Sequence, residues 1–239
     1  MRLVAVTSRD GSPRRAALLV VAALAAVFQA NFLLDWVLRG GDGMQYIVSQ
    51  LAAPGQPNAT LLRATDVACA VLVLVLVVPV RRALRPGPWR EVVTWGTVAF
   101  AVGAIGAALA ASTCPLGTRC VGSGDLEVVI HDLASAVSEV GLFGGVLGAW
   151  FATRRDGPAW FHAAAQWVFV LGGVVSALMF AYFTWTATPG TSSTAAALSQ
   201  RLHILTVSAW LVCLGVLAAR ADGPGGATAL GARVEPEVR

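Results

Sequence analysis

Six apolar runs restrict what this chain can fold into more than any other feature of its sequence. They cover residues 16–38, 64–82, 91–112, 126–151, 161–187 and 202–220. Each run is long enough to cross about 30 Å of hydrocarbon at about 1.5 Å per helical residue. Because a lone spanning segment must satisfy its own backbone hydrogen bonds, we expect six transmembrane helices. The predicted fold is an all-α polytopic membrane bundle.

The composition agrees with a membrane protein and argues against a soluble enzyme, a disordered chain or a small disulfide scaffold. Mean hydropathy is +0.70 and 13% of the residues are charged, whereas a soluble domain carries about 25% charged residues. The predicted organisation is a cytoplasmic N-terminal segment (1–15), a transmembrane domain (16–220) and a disordered cytoplasmic tail (221–239). The predicted partner is the lipid bilayer of the plasma membrane, and protein partners stay open.

The arginines predict the orientation. All 17 basic residues are Arg, and they are scattered between apolar runs, so we expect no nucleic-acid partner. Four of them fall in loops on one side of the predicted bundle, namely Arg39, Arg63, Arg119 and Arg201, and the other thirteen fall on the opposite side. The positive-inside rule therefore predicts that both termini are cytoplasmic. The first run lacks a good cleavage site, and we expect it to be a retained helix rather than a signal peptide.

The two longer outer loops differ in kind. In the first, apolar residues at helical spacing predict a short helix in the interface, namely Met44, Ile47, Val48 and Leu51. The second carries Cys114 and Cys120 in a tight Pro- and Gly-containing turn on the oxidising side, which predicts a disulfide.

A polar stripe marks the fourth apolar run. It consists of Glu127, His131, Ser135, Ser138 and Glu139, which share one helical face. Glu139 lies twelve residues beyond Glu127, about 18 Å deeper along the helix. An unpaired carboxylate near mid-bilayer costs at least about 2.5–3.5 kcal/mol. Glu139 is therefore either a functional group on a hydrated cavity, where it would face His131, or a protonated carboxyl that bonds to a neighbouring helix.

Other polar residues stand at the predicted outer ends of the spans. They are Asn31, Asp35, Asp66, Asp132, Gln200, Arg201 and His203. In a compact bundle they would converge with the polar stripe on one outward-facing polar cavity. Arg201 would pair with Asp35, with Asp66 or with an anionic lipid headgroup. The alternative is that each is an ordinary polar residue at headgroup depth.

Three short motifs, together with the six predicted helices, resemble one family. The motifs are Ser49-Gln50-Leu51-Ala52-Ala53-Pro54-Gly55-Gln56-Pro57, His131-Asp132 and Gln200-Arg201-Leu202-His203. They are similar to the bacterial membrane family known as domain of unknown function 998, over about residues 12–222. The resemblance implies six helices with both ends inside, and it implies no established activity.

The chain also resembles, more distantly, membrane hydrolases of the alkaline ceramidase and adiponectin-receptor type. Those enzymes hold zinc with three His. Here only His131 and His203 fall on the outer side and His162 lies at the opposite end. A three-His site cannot be assembled from these positions, although His131 and His203 remain candidate metal ligands.

Three functional hypotheses follow. The first is an integral membrane protein whose outward-facing cavity binds or transports a small polar solute, a lipid headgroup or protons. The second is a metal-dependent membrane hydrolase that acts on lipid. The third is a structural or regulatory membrane partner without chemistry. The catalytic residues, if any, and the cofactors are unknown at this level.

Overall fold

The computed structural model describes residues 13–112, 125–186 and 194–222. Within those ranges every regular element is helical. The elements are α1 (Pro13–Gln29), α2 (Phe32–Leu38), α3 (Val48–Leu51), α4 (Ala59–Ala83), α5 (Pro88–Leu109), α6 (Leu126–Thr153), α7 (Ala159–Val168), a π-helical segment (Phe169–Ser176), α8 (Ala177–Thr186) and α9 (Thr194–Ala221). The predicted all-α polytopic membrane bundle is confirmed.

Among the described residues, five helices are long and apolar enough to span a membrane, or six if α1 and α2 form one span. The five are α4, α5, α6, the continuous run Ala159–Thr186 through the π-helical segment, and α9. The helices α1 and α2 pass the same test of length and hydropathy together, but they are bent by 57°. The run 16–38 therefore does not form the single helix that the sequence predicts.

The bend in the first span follows from Asn31. This side chain is buried, and its Nδ2 lies within hydrogen-bond distance of three acceptors on α4, including the main-chain oxygen of Leu62 at 3.1 Å. A polar group in the apolar interior is costly unless it is bonded. The break between Gln29 and Phe32 lets the amide meet these acceptors.

The helix α9 lies at the centre of the described bundle. It packs against α1, α4, α7, the π-helical segment and α8. Its residues Trp210, Leu211 and Leu214 are almost completely buried. The ring of Trp210 stacks on that of Phe161, with centroids 5.1 Å apart. The core of the molecule therefore forms around this helix.

Close packing joins α5 to α6. A Cβ atom at Gly96 would lie 2.6 Å from the carbonyl oxygen of Gly141, and one at Gly103 would lie 2.5 Å from the main-chain nitrogen of Ser138. Small residues of this kind let transmembrane helices approach closely.

Several helix ends differ from the predicted ones. The helix α4 begins at Ala59 rather than at residue 64, and α9 begins at Thr194 rather than at residue 202. Asp66 and His203 therefore lie about two turns inside their helices instead of at the helix starts. The segment α3 is a single helical turn within the predicted short helix, and its Val48 and Leu51 are buried against the bundle. Its location at the membrane interface stays a prediction.

The charged residues separate into two ends. Arg14 pairs with Asp222 at 3.1 Å, and Arg85 pairs with Asp156 at 2.6 Å. The Arg14–Asp222 pair brings the two described chain ends to one end of the bundle, as an even number of spans requires. The cytoplasmic assignment of that end stays a prediction.

Some predictions fall on residues outside the described ranges. They are the Cys114–Cys120 disulfide, most of the N-terminal segment and most of the C-terminal tail. Of the described cysteines, Cys69 and Cys213 are free thiols, and Cys69 is buried.

Candidate functional site

A cavity of about 180 Å³ lies within the bundle, between α4, α5, α6 and α9, with residues of α3 and its flank also contributing. Its polar lining includes Asn31, Asp66, His131, Ser135, Glu139 and Gln200, all six of which the sequence singles out. The structure thus brings these six side chains to one cavity. The outward orientation of the cavity stays a prediction, because it depends on the assignment of the termini.

Asn31 and Asp66 form one wall of the cavity. Asn31 Nδ2 lies 2.7 Å from Asp66 Oδ1 and 3.0 Å from Thr65 Oγ1. Among the described residues, Asp66 forms no ion pair. The carboxyl group of Asp66 therefore accepts a hydrogen bond from the Asn31 amide, and the rest of the group faces the cavity.

The orientation of His131 determines what it offers to the cavity. Its Nδ1 lies 2.9 Å from the carbonyl oxygen of Ala107 and 3.0 Å from that of Ala110, at the end of α5. Carbonyl oxygens only accept, so Nδ1 must carry the proton. In the neutral ring, Nε2 is then an acceptor.

Glu139 pairs with His203 across the gap between α6 and α9. His203 Nε2 lies 3.1 Å from Glu139 Oε1, and His203 Nδ1 lies 3.1 Å from the carbonyl oxygen of Gly172 in the π-helical segment. The Glu139 side chain is 49% exposed, compared with 13% for His203. The partner of Glu139 is thus His203 rather than the His131 that the sequence suggests.

Of the other residues in the predicted polar stripe on α6, some line the cavity and some are exposed on the surface of the bundle. Ser135 and Ser138 line the cavity, and Ser138 Oγ also donates to the carbonyl oxygen of Phe100 at 3.0 Å. Glu127 and Asp132 are exposed and take no part in the lining. The stripe therefore contributes to the site from His131 to Glu139.

Gln200 and Arg201 hold the loop before α3 against α9. Gln200 Oε1 accepts a hydrogen bond from the main-chain nitrogen of Val48. The buried Arg201 donates to the carbonyl oxygens of Gly43, Met44 and Tyr46 at 3.0–3.2 Å. Arg201 therefore binds main-chain oxygens and not the carboxylates that the sequence suggests.

Asp35 belongs to a separate buried network. Its Oδ1 accepts from Arg39 Nε at 2.8 Å and from Asn58 Nδ2 at 2.7 Å. The side chain is almost completely buried and takes no part in lining the cavity. Asp35 therefore links α2 to the start of α4 and does not join the predicted site.

Sequence reasoning missed several residues of the cavity lining, namely Gln29, Ser49, Arg63 and Ser112. Gln29 carries a recognisable signal, since it is an amide inside an apolar run and lies two positions before Asn31. Ser49 reaches the cavity only because α3 folds back onto the bundle, which local sequence does not show.

The candidate metal ligands have other partners. Among the described residues, no three His, Cys, Asp or Glu side chains group closely enough to hold a metal ion. His131 contacts two carbonyl oxygens, and both ring nitrogens of His203 are engaged. The described geometry gives the predicted pair of metal ligands no support.

Comparison with known proteins identifies a family but no activity. No curated protein and no solved structure matches the chain. The family model described as protein of unknown function (DUF998) matches residues 15–217, which is most of the chain. The chain is thus an integral membrane protein that belongs to the DUF998 family.

Proposed function

We propose that this protein binds a small polar solute carrying an ammonium group in the cavity between α4, α5, α6 and α9. The observation that carries the proposal is the presence of two carboxyl groups on the cavity lining. Two carboxyl groups, Asp66 and Glu139, face it. An ammonium group offers only donors and is positively charged, so it complements this lining.

The histidine and the arginine of the lining fit the same ligand. His131 uses its Nδ1 proton on the end of α5, which leaves Nε2 as a further acceptor. Arg63 directs its Nε toward the carbonyl oxygen of Ala59, one turn nearer the start of α4, at 3.4 Å. Among the described residues Arg63 forms no ion pair with Asp66, so the carboxyl group remains available to a cation.

The size of the cavity limits the solute. A volume of about 180 Å³ is several times the roughly 30 Å³ that one water molecule occupies in the liquid. Methylammonium and ethanolamine are small enough for such a cavity. The same ammonium chemistry occurs in free ethanolamine and in the headgroup of phosphatidylethanolamine, so the experiment must separate these two sources.

The other two hypotheses receive less support. A lipid hydrolase that depends on a metal would need a group of ligands, and the described residues supply no set of three. A purely structural role does not require a cavity whose lining is rich in carboxyl groups. Proton binding is compatible with solute binding.

Calorimetric titration of the purified protein tests the proposal. In nanodiscs of phosphatidylcholine, we expect methylammonium and ethanolamine to bind, while acetate at equal ionic strength does not. Asp66→Asn keeps the shape and the acceptor for Asn31 but removes the charge, and we expect affinity to fall by about tenfold or more. Glu127→Gln, on an exposed carboxylate of α6, is the matched control.

The choice of lipid separates the two sources. If a lipid headgroup occupies the cavity, nanodiscs that contain phosphatidylethanolamine will block the binding of free ethanolamine. If the ligand is a free amine, the two lipids will give the same affinity. Equal or absent binding of methylammonium and acetate would overturn the proposal.

A further inference from the structure

We propose that Glu139 and His203 together hold one exchangeable proton, and that a bound ammonium solute displaces it. This inference rests on the proposed function. It adds that one proton leaves the cavity for each ammonium ion that enters. The observation behind it is the set of acceptors around His203, which fixes how many protons the pair can hold.

One ring proton of His203 is fixed by the π-helical segment. His203 Nδ1 lies 3.1 Å from the carbonyl oxygen of Gly172, to which Ser176 Oγ also donates at 2.6 Å. Because a carbonyl oxygen only accepts, Nδ1 carries a hydrogen in every state of this bond. The ring also packs against Phe143, with centroids 5.6 Å apart, which further limits its rotation.

The second contact of the ring, between His203 Nε2 and Glu139 Oε1, requires one more proton. A bare Nε2 and an ionised carboxylate are both acceptors, so a contact of 3.1 Å between them is repulsive without a proton. With one proton, the pair is either imidazolium with carboxylate or imidazole with carboxylic acid. Both forms have a net charge of zero, which is the inexpensive state within a membrane.

Glu139 is the half of the pair that a solute meets. Its side chain lines the cavity and is 49% exposed, whereas His203 is 13% exposed and lies behind it. An ammonium group that donates to the carboxylate competes directly with His203 Nε2 for the same oxygen. The geometry therefore places the exchangeable proton next to the solute.

The exchange balances in charge and atoms. Before binding, the pair carries one shared proton and no net charge. When the ammonium group donates to ionised Glu139, the shared proton leaves through cavity water to the solvent. His203 is then neutral, with its remaining hydrogen on Nδ1. The charge of +1 on the solute and −1 on Glu139 restores neutrality, and no bond other than that to the departing proton is broken.

Few other titratable groups face the pair. The described lining of the cavity supplies Asp66 and Arg63 from α4 and His131 from α6. The described lining residues of α5 are Phe100, Ala104, Ala107 and Ala108, which do not titrate, and α9 adds Gln200. Asp66 is therefore the principal competing source of a released proton, and the experiment must distinguish it from Glu139.

Proton release measured together with binding tests the exchange. Methylammonium chloride, matched in pH, is titrated into weakly buffered, detergent-solubilised protein that contains a pH indicator dye. We expect the wild type and the control Glu127→Gln to release one proton per bound methylammonium. Glu139→Gln removes the shared proton, and its release per bound solute falls to nearly zero. Asp66→Asn binds more weakly but still releases one proton at saturation.

The outcomes separate this inference from the proposed function. Binding by the wild type without proton release overturns the exchange and leaves solute binding intact. Release that disappears in Asp66→Asn but persists in Glu139→Gln places the proton on Asp66 and also overturns the inference. If methylammonium does not bind the wild type, both proposals fail. A Glu139→Gln protein that unfolds is replaced by Glu139→Ser, which also removes the carboxyl group and for which loss of release is again expected.

Discussion

Asn31 Nδ2 lies 2.7 Å from Asp66 Oδ1, so the bend in the first span is directly connected to the wall of the cavity. The amide has two N–H groups and three nearby acceptors, the other two being Leu62 O and Thr65 Oγ1. The hydrogen bonds of the Asn31 amide therefore stabilise both the bend in the first span and the position of the Asp66 carboxyl group. A kinked helix is commonly attributed to Gly or Pro, but here a buried hydrogen-bond donor accounts for the break.

Removing this donor should destabilise the bundle. Asn31→Ala leaves Asp66 without its described side-chain donor, and an unsatisfied buried polar group costs about 1–3 kcal/mol. We expect a lower midpoint in thermal unfolding of the detergent-solubilised protein. Thr60→Ala, at an exposed position near the start of α4, is the control and should leave the midpoint unchanged. An unchanged midpoint in Asn31→Ala would show that these hydrogen bonds contribute nothing to stability.

Two glycines on facing helices should respond differently to the same substitution. A Cβ atom at Gly96 would lie 2.6 Å from Gly141 O and 2.8 Å from the backbone of Gly145. Gly96→Ala must therefore push α5 away from α6, and overpacking of this kind costs about 1–3 kcal/mol. A Cβ atom at Gly144 would meet nothing within 4 Å.

We expect Gly144→Ala to be neutral or slightly stabilising, since Ala favours a helix over Gly by about 1 kcal/mol. Denaturation with sodium dodecyl sulfate, followed by circular dichroism, measures both variants under one condition. Equal effects of the two substitutions would contradict the close packing of α5 on α6.

The sequence predicts where the helices lie along the chain better than it predicts which side chains contact each other. Apolar runs identify every span, because the hydrocarbon core imposes a length and a composition. The apolar runs begin later than α4 and α9 because the first residues of these helices, such as Thr60 and Thr194, are less apolar but still helical. The polar face of α6 was recognisable from its spacing. That Glu139 meets His203 rather than His131 depends on how α9 packs against α6, and local spacing carries no such information.

Arg201 should control the mobility of the loop before α3. It donates to the carbonyl oxygens of Gly43, Met44 and Tyr46, which belong to that loop. Arg201→Lys keeps the charge but loses the planar guanidinium that reaches several acceptors at once. Hydrogen bonds to charged groups contribute about 1.5–3 kcal/mol, so we expect amide exchange at residues 43–52 to accelerate by at least about tenfold.

Hydrogen exchange followed by mass spectrometry checks this effect. The control is Arg155→Gln, an exposed arginine at the opposite end of the bundle, which should leave exchange in this loop unchanged. Acceleration throughout the bundle, and not only in the loop, would instead indicate that Arg201 stabilises the whole fold.

The orientation of the bundle gives the last prediction. The pair Arg14–Asp222 places both described chain ends together, and the predicted topology assigns thirteen of the 17 arginines to the side that holds both termini. The positive-inside rule then predicts that both termini are cytoplasmic.

A green fluorescent protein fused after residue 239 should fluoresce, and alkaline phosphatase fused there should be inactive. Alkaline phosphatase inserted at Gly55, an exposed position in the opposite loop, should be active. The reverse pattern would invert the bundle and turn the cavity toward the cytoplasm, so that any solute would enter from inside the cell.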